Sequence, residues 1–133
     1  IALTGASKFD PEVAAVAFMR TPGHKFTILG PDNLPCAAGG YEETAMPGVW
    51  QSWMVGSPEG WDTGWRSITK GCRWLMDALF DMGARRLQTN ALASRTKAIE
   101  WYERGLGLTR EGTLRQAGAH GEDVAIFSKV VEA

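Results

Sequence analysis

One strong strand followed by one long amphipathic helix constrains this chain more than any other feature. VWQSWMVG (49–56) is rich in aromatic and β-branched residues and is closed by Gly-Ser-Pro, the composition of a strand that ends in a turn. Downstream, Ile68, Cys72, Leu75, Met76 and Leu79 recur at i, i+4, i+7, i+8 and i+11. That spacing makes one apolar stripe and predicts a helix from near Trp65 to Met82. Gly83 supplies its stop, and ARRLQTNAL follows as a further strand. A strand–helix–strand unit must bury its stripe against a sheet, which restricts the chain to layered α/β architectures.

The flanking sequence fills in that plan. Asp10 to Arg20 reads as a first helix: Asp10 caps, Pro11 suits the first helical position, and Val13, Val16 and Ala17 share a face. KFTILG is a short strand. CAAGGYEETAM is a weaker one, in which Gly39 and Gly40 predict a bulge or an edge position. Ser94 is the expected cap of a helix ending near Arg104 or Gly105, with Ala98, Ile99 and Tyr102 on one face. LTREGTLRQ, GAHG and EDVAIFSKV form a hairpin pattern. The order is helix, three strands, helix, strand, helix, two strands. It predicts an α/β fold, a central mixed sheet with helices on both faces, as a single domain over 1–133.

Composition narrows function mainly by exclusion. The net charge of −1 offers no global attraction for nucleic acid or an anionic membrane. Arg85, Arg86, Arg95, Arg104, Arg110 and Arg115 are interleaved with acids, which makes a mixed solvated surface. No apolar run approaches the roughly 20 residues that span a bilayer. The N-terminal residues do not read as a signal peptide, so a cytoplasmic protein is expected. Cys36 and Cys72, with only His24 and His120 beside them as soft ligands, read as two reduced thiols and not as a metal site.

The chemistry concentrates where tryptophan does. Trp50, Trp53, Trp61 and Trp65 fall within a short stretch of a chain that has six. WDTGWRS (61–67) sits between the strand and the long helix, where a turn could cradle a phosphate. Such a cradle needs glycines for close approach and the positive end of a helix dipole. Gly64 suits it, and Arg66 offers a phosphate a charged fork. Asp62 opposes it by capping the helix with its own anion. Trp50 and Trp53 alternate with Gln51, and packing beneath helices is the commoner fate of strand tryptophans.

From Gly48 to Val130 the chain resembles the GNAT superfamily of acyl-CoA-dependent N-acetyltransferases. TKAIEWYERGLGLTREGTLRQ followed by GED carries most of the likeness. Ala98, Tyr102, Glu103, Leu106, Gly107, Leu108, Glu111, Gly112, Leu114, Arg115, Gly121 and Asp123 fit, with Gly105 as an apparent one-residue insertion. The resemblance implies acetyl-CoA as cofactor. Its pantetheine arm would be bound by Trp53, Met54 and Val55, and its pyrophosphate by a loop containing Gly64, Trp65, Arg66 and Ser67. Tyr102 would be the acid that protonates the departing thiolate, with a plain core tyrosine as the rival reading. Arg95 stands where the family commonly has a cofactor-contacting Asn, and Asp62 replaces the loop's first Gly. The acceptor would be an amine on a small molecule or a protein, in a groove that Trp50 and Trp53 could wall. The amine would need a base, for which Glu42 and Glu43 are candidates, with solvated carboxylates as the plainer reading. GVWQSWMV and the W-x-x-GW turn look closer still to small bacteriophage-encoded GNAT-like proteins, some labelled as head-assembly proteins. That likeness implies a second reading: a non-catalytic virion component in the host cytoplasm or particle, with phage structural proteins or further copies of itself as partners.

Overall fold

The computed structural model describes residues 23–30 and 32–131; the helix expected from Asp10 to Arg20 lies outside them. Six strands form one sheet: β1 (His24–Leu29), β2 (Pro35–Glu43), β3 (Val49–Gly56), β4 (Arg86–Leu92), β5 (Thr109–Leu114) and β6 (Val124–Val130). Their order across the sheet is β1-β2-β3-β4-β6-β5. β3 and β4 run parallel, and the other neighbouring pairs are antiparallel. Helix α1 (Pro58–Asp81) makes the crossover between the two parallel strands. Helix α2 (Thr96–Glu100) continues as a π-helical turn, Trp101–Gly105, before the β5–β6 hairpin. The α/β mixed sheet read from the element order is the one that forms.

The expected stripe on α1 is the buried one. Ile68, Cys72, Met76 and Leu79 are buried, and the row extends N-terminally through Gly60 and Gly64 at the same four-residue spacing. Ile68 on α1 and Phe127 on β6 are both fully enclosed, worth about 1.5–3 kcal/mol each in removed apolar surface. Around them, Met54, Leu87, Ala91, Ile99, Tyr102 and Leu108 complete one core.

Three local expectations need correction. First, α1 begins seven residues before Trp65. Ser57 is its N-cap, with Oγ accepting from the Gly60 N–H at 2.9 Å, and Pro58 fills the first helical position. Serine followed by proline is a stronger start signal than Asp62, which sits exposed beyond the first turn. Second, Gly39 and Gly40 lie in a strand with neighbours on both sides, in regular register with Phe26 and Lys25 on β1 and with Met54 and Trp53 on β3. A side chain at Gly39 would strike the Phe26 ring at 2.8 Å, and one at Gly40 would strike the Trp53 indole at 2.8 Å. The glycines make room for cross-strand aromatics, so neither a bulge nor an edge is required. Third, the N-cap of α2 is Arg95, without a capping side chain. Ser94 lies one residue earlier and accepts from Thr96 N–H through its carbonyl.

Candidate functional site at the divergence of β3 and β4

The parallel ladder between β3 and β4 is short. Val49, Trp50 and Gln51 pair with Arg86, Leu87 and Gln88, and beyond them the strands part. A sheet that opens between two parallel strands creates a cleft whose walls are backbone, the kind of concavity in which ligands bind in α/β folds. Ser52 and Thr89 mark the point of divergence, Thr89 Oγ1 still reaching Ser52 O at 3.5 Å. Trp53, Met54 and Val55 follow on the β3 side. Met54 turns into the core, where Cys72 Sγ lies 3.8 Å from its sulfur. Trp53 lies on the opposite face, over Gly40.

Tyr102 closes the cleft from above. Its hydroxyl donates to Asn90 O on β4 at 3.3 Å, and Thr89 also hydrogen-bonds the phenol. The ring packs against Phe127, 5.2 Å between centroids, and the residue is 4% exposed. Burial pushes the phenol up to about 12, with the Thr89 hydrogen bond and the Arg95 charge pulling partly the other way. The proton therefore stays on oxygen at neutral pH. Tyr102 is thus a core residue that also lines the cleft. Arg95, at the start of α2, lies close enough for its charge to act on that hydroxyl.

The structure separates the residues expected to hold a pyrophosphate. Gly64, Trp65, Arg66 and Ser67 are consecutive inside helix α1, past its first turn, so their backbone N–H groups belong to the helix ladder and are not free donors at its N-terminus. Gly64 faces β2, where a Cβ would lie 2.8 Å from Cys36 Sγ; at Gly60 it would lie 2.6 Å from Cys36 O. Both glycines serve close packing of helix on strand. Trp65 is exposed, with the Arg66 guanidinium 4.8 Å from its ring centroid. The true first turn has Pro58 without an N–H, the Gly60 N–H on Ser57 Oγ and the Trp61 N–H on Ser57 O at 2.9 Å. Few amides there remain for an anion, and Glu59 adds a negative charge.

Several residues that shape the cleft carried no clear sequence signal. Trp101 is the chief one. Its indole N–H donates to Thr69 Oγ1 at 2.8 Å, and the Thr69 hydroxyl donates to Trp65 O at 2.7 Å. Trp61 meets the same indole edge-on, 4.9 Å between centroids at 82°, a favourable aromatic geometry. Gly105, which the family resemblance implies is an insertion, is the last residue of the π turn that ends α2, with Leu106 N bonding Trp101 O. An added residue in a helix commonly takes this form, frequently beside a functional site. The sign available in the sequence was that insertion, four residues after a tryptophan. What remains of the cleft between Ser52, Met54, Cys72, Thr89, Trp101 and Tyr102 encloses about 30 Å³, room for about two waters.

Glu42 and Glu43 lie at the end of β2, opposite Gln51 and Trp50 on β3. Glu43 is committed to the Gly48 N–H at 2.9 Å, and Trp50 stacks on His24 at 5.6 Å. Among the described residues no group of His, Cys, Asp and Glu could hold a metal, and no helix is long and apolar enough to cross a membrane.

No protein-family model matches the chain, and no curated protein matches it. Solved structures do. A GNAT-family acetyltransferase from Bacillus anthracis superposes with a TM-score of 0.70 at 17% identity, covering 92% of this chain and 75% of that one. A GCN5-related N-acetyltransferase from Kribbella flavida gives 0.72 at 16%, covering 93% and 79%. The ribosomal-protein-S5-alanine acetyltransferase from Vibrio fischeri gives 0.67 at 15%, covering 90% of this chain and 66% of its own. The fold is that of the GNAT acetyltransferases. This GNAT fold has the divergence of β3 and β4 with the crossover helix between them, while the first turn of α1 is closed by its own cap.

Proposed function

We propose that the chain is an acyl-CoA-dependent N-acyltransferase, most simply an N-acetyltransferase, with the thioester held at the divergence of β3 and β4. One observation carries this: a protonated phenol, Tyr102, is fixed over the point where the two parallel strands separate. Acetyl-CoA would lay its pantetheine arm along Trp53–Val55. The amine nitrogen would attack the thioester carbonyl carbon, forming the C–N bond and losing its extra proton to solvent as the C–S bond breaks. Tyr102 would give its proton to the departing thiolate and be reprotonated from solvent. A phenol pushed up to about 12 is a weak acid, but a thiolate released into the same dry cleft is also made more basic by desolvation. The acceptor is an amine on a small molecule or a protein.

Calorimetric titration with acetyl-CoA tests the proposal. Saturable binding, with Tyr102→Phe lowering turnover far more than affinity, is the expected result; no heat at millimolar cofactor sinks it. A second reading is favoured by the Ser57 cap, which commits amides that a pyrophosphate would need. In that reading the protein is a non-catalytic member of the fold, a phage head-assembly component with structural proteins or its own copies as partners. It predicts no cofactor binding and co-sedimentation with assembled particles.

A further inference from the structure

We infer that Trp61, Thr69 and Arg73 on α1, with Trp101 and the π turn of α2, form a latch that shuts the cleft and must open before a ligand reaches Tyr102. The contacts cross from one helix to the other at three heights. Near the start of α1, Trp61 meets the Trp101 indole edge-on. Two turns later Thr69 accepts the indole N–H while giving its own proton to Trp65 O, so its hydroxyl is held in one orientation. One turn further, Arg73 Nε donates to Gly105 O at 2.6 Å, holding the last carbonyl of the π turn. A four-residue spacing places Thr69 and Arg73 on the same flank of α1.

Gly105 is what lets the latch seat. A Cβ at Gly105 would lie 2.6 Å from Cδ1 of the Trp101 ring, so the π turn needs glycine there to let the indole lie flat against its own backbone. The indole then roofs the cleft beside Tyr102, 5.6 Å between ring centroids, and the space left beneath it is far below the size of a pantetheine arm. A ligand can occupy that space only in a minor state with the indole displaced, and its apparent affinity falls by the population of that state. The latch stands on these contacts alone; its action as a gate for acyl-CoA rests on the function proposed above.

Cysteine labelling of the intact chain reads the latch directly. Cys72 lines the cleft, whereas Cys36 is equally buried but lies under Gly64, away from it. A small maleimide adds the S–H across its C=C bond, and peptide mass spectrometry scores the two thiols separately. Local opening exposes Cys72 alone; global unfolding exposes both. Thr69→Val should raise the Cys72 rate about fivefold, the factor expected for one hydrogen bond, and Trp61→Ala by about tenfold or more, with Cys36 unchanged in both. Unchanged Cys72 labelling, or both thiols accelerating together, overturns the latch. Millimolar acetyl-CoA added to Thr69→Val should then slow Cys72 labelling. If Cys72 accelerates alone and acetyl-CoA gives no protection, the latch stands and the acyl-CoA function fails.

Discussion

The start of α1 and the π turn of α2 both depend on glycine, and they use it in opposite ways. At Gly60 and Gly64 the missing side chain lets a helix settle onto β2, with backbone and thiol of Cys36 filling the space. At Gly105 it lets an indole fold back over a turn and enter the cleft. The first region is a packing device in the place where a cofactor cradle was expected. The second seats the Trp101 indole in a place that read as a one-residue insertion. A glycine in a loop-like motif says that something approaches closely, without saying whether it is a phosphate, a strand or a ring.

The sharpest way to break this contrast is Gly60→Ala. A glycine that served only a ligand would gain about 1 kcal/mol of stability as alanine in a helix. The close approach to Cys36 O predicts the opposite sign, a loss of about 1–3 kcal/mol by overpacking, read from urea unfolding. Gly105→Ala should cost slightly less, about 1–2 kcal/mol, because the Trp101 ring can tilt away. Its mark is a red-shifted tryptophan emission as the indole enters water, and an unshifted spectrum would contradict the seating described.

Tyr102→Phe removes the hydroxyl's hydrogen bonds to Asn90 O and Thr89 and should cost about 1–2 kcal/mol at neutral pH. The pH dependence is more telling. The folded state holds the Tyr102 proton up to about 12 against an ordinary value of 10.0. A raised folded value means that the stabilisation is complete below pH 10 and is lost as pH rises towards 12. The wild type should therefore lose stability faster than Tyr102→Phe across that window, and parallel curves would place the phenol in water.

The smallest effect belongs to the surface pair Arg86–Glu111, which joins β4 to β5 through two hydrogen bonds of 2.9 and 2.5 Å. Arg86 and a Ser128 hydrogen bond hold the Glu111 carboxyl down to about 2 from 4.5. A depressed folded value gives stability that is present above 4.5 and lost as pH falls towards 2. Glu111→Gln should flatten the acid limb slightly, since both side chains are partly in water.

Much of the fold was legible in the sequence. Ile68, Cys72, Met76 and Leu79 announced a helix by spacing, and β3 and the β5–β6 hairpin announced themselves by composition and turn residues. Those are local signals, and the likeness around Tyr102 added the topology. The site was read less well, for physical reasons. WDTGWRS has the letters of a loop, but Ser57-Pro58 nucleates the helix earlier, and a helix spreads consecutive side chains around its axis. Gly39 and Gly40 looked like strand breakers because their justification, Phe26 and Trp53, lies on other strands. The Trp61–Trp101 contact joins residues far apart in sequence, and no periodicity within either segment can show it.

The central claim is that a ligand enters at the divergence of β3 and β4 through the Trp101 latch and not at the first turn of α1. Amide and indole chemical shifts followed by two-dimensional NMR during titration with acetyl-CoA test it most directly. The account predicts the largest changes at the Trp101 indole N–H and at Tyr102 and Trp53–Val55, with Gly60 and Gly64 little moved. Changes centred on Gly60, Gly64 and Arg66 with the Trp101 indole unmoved would contradict it.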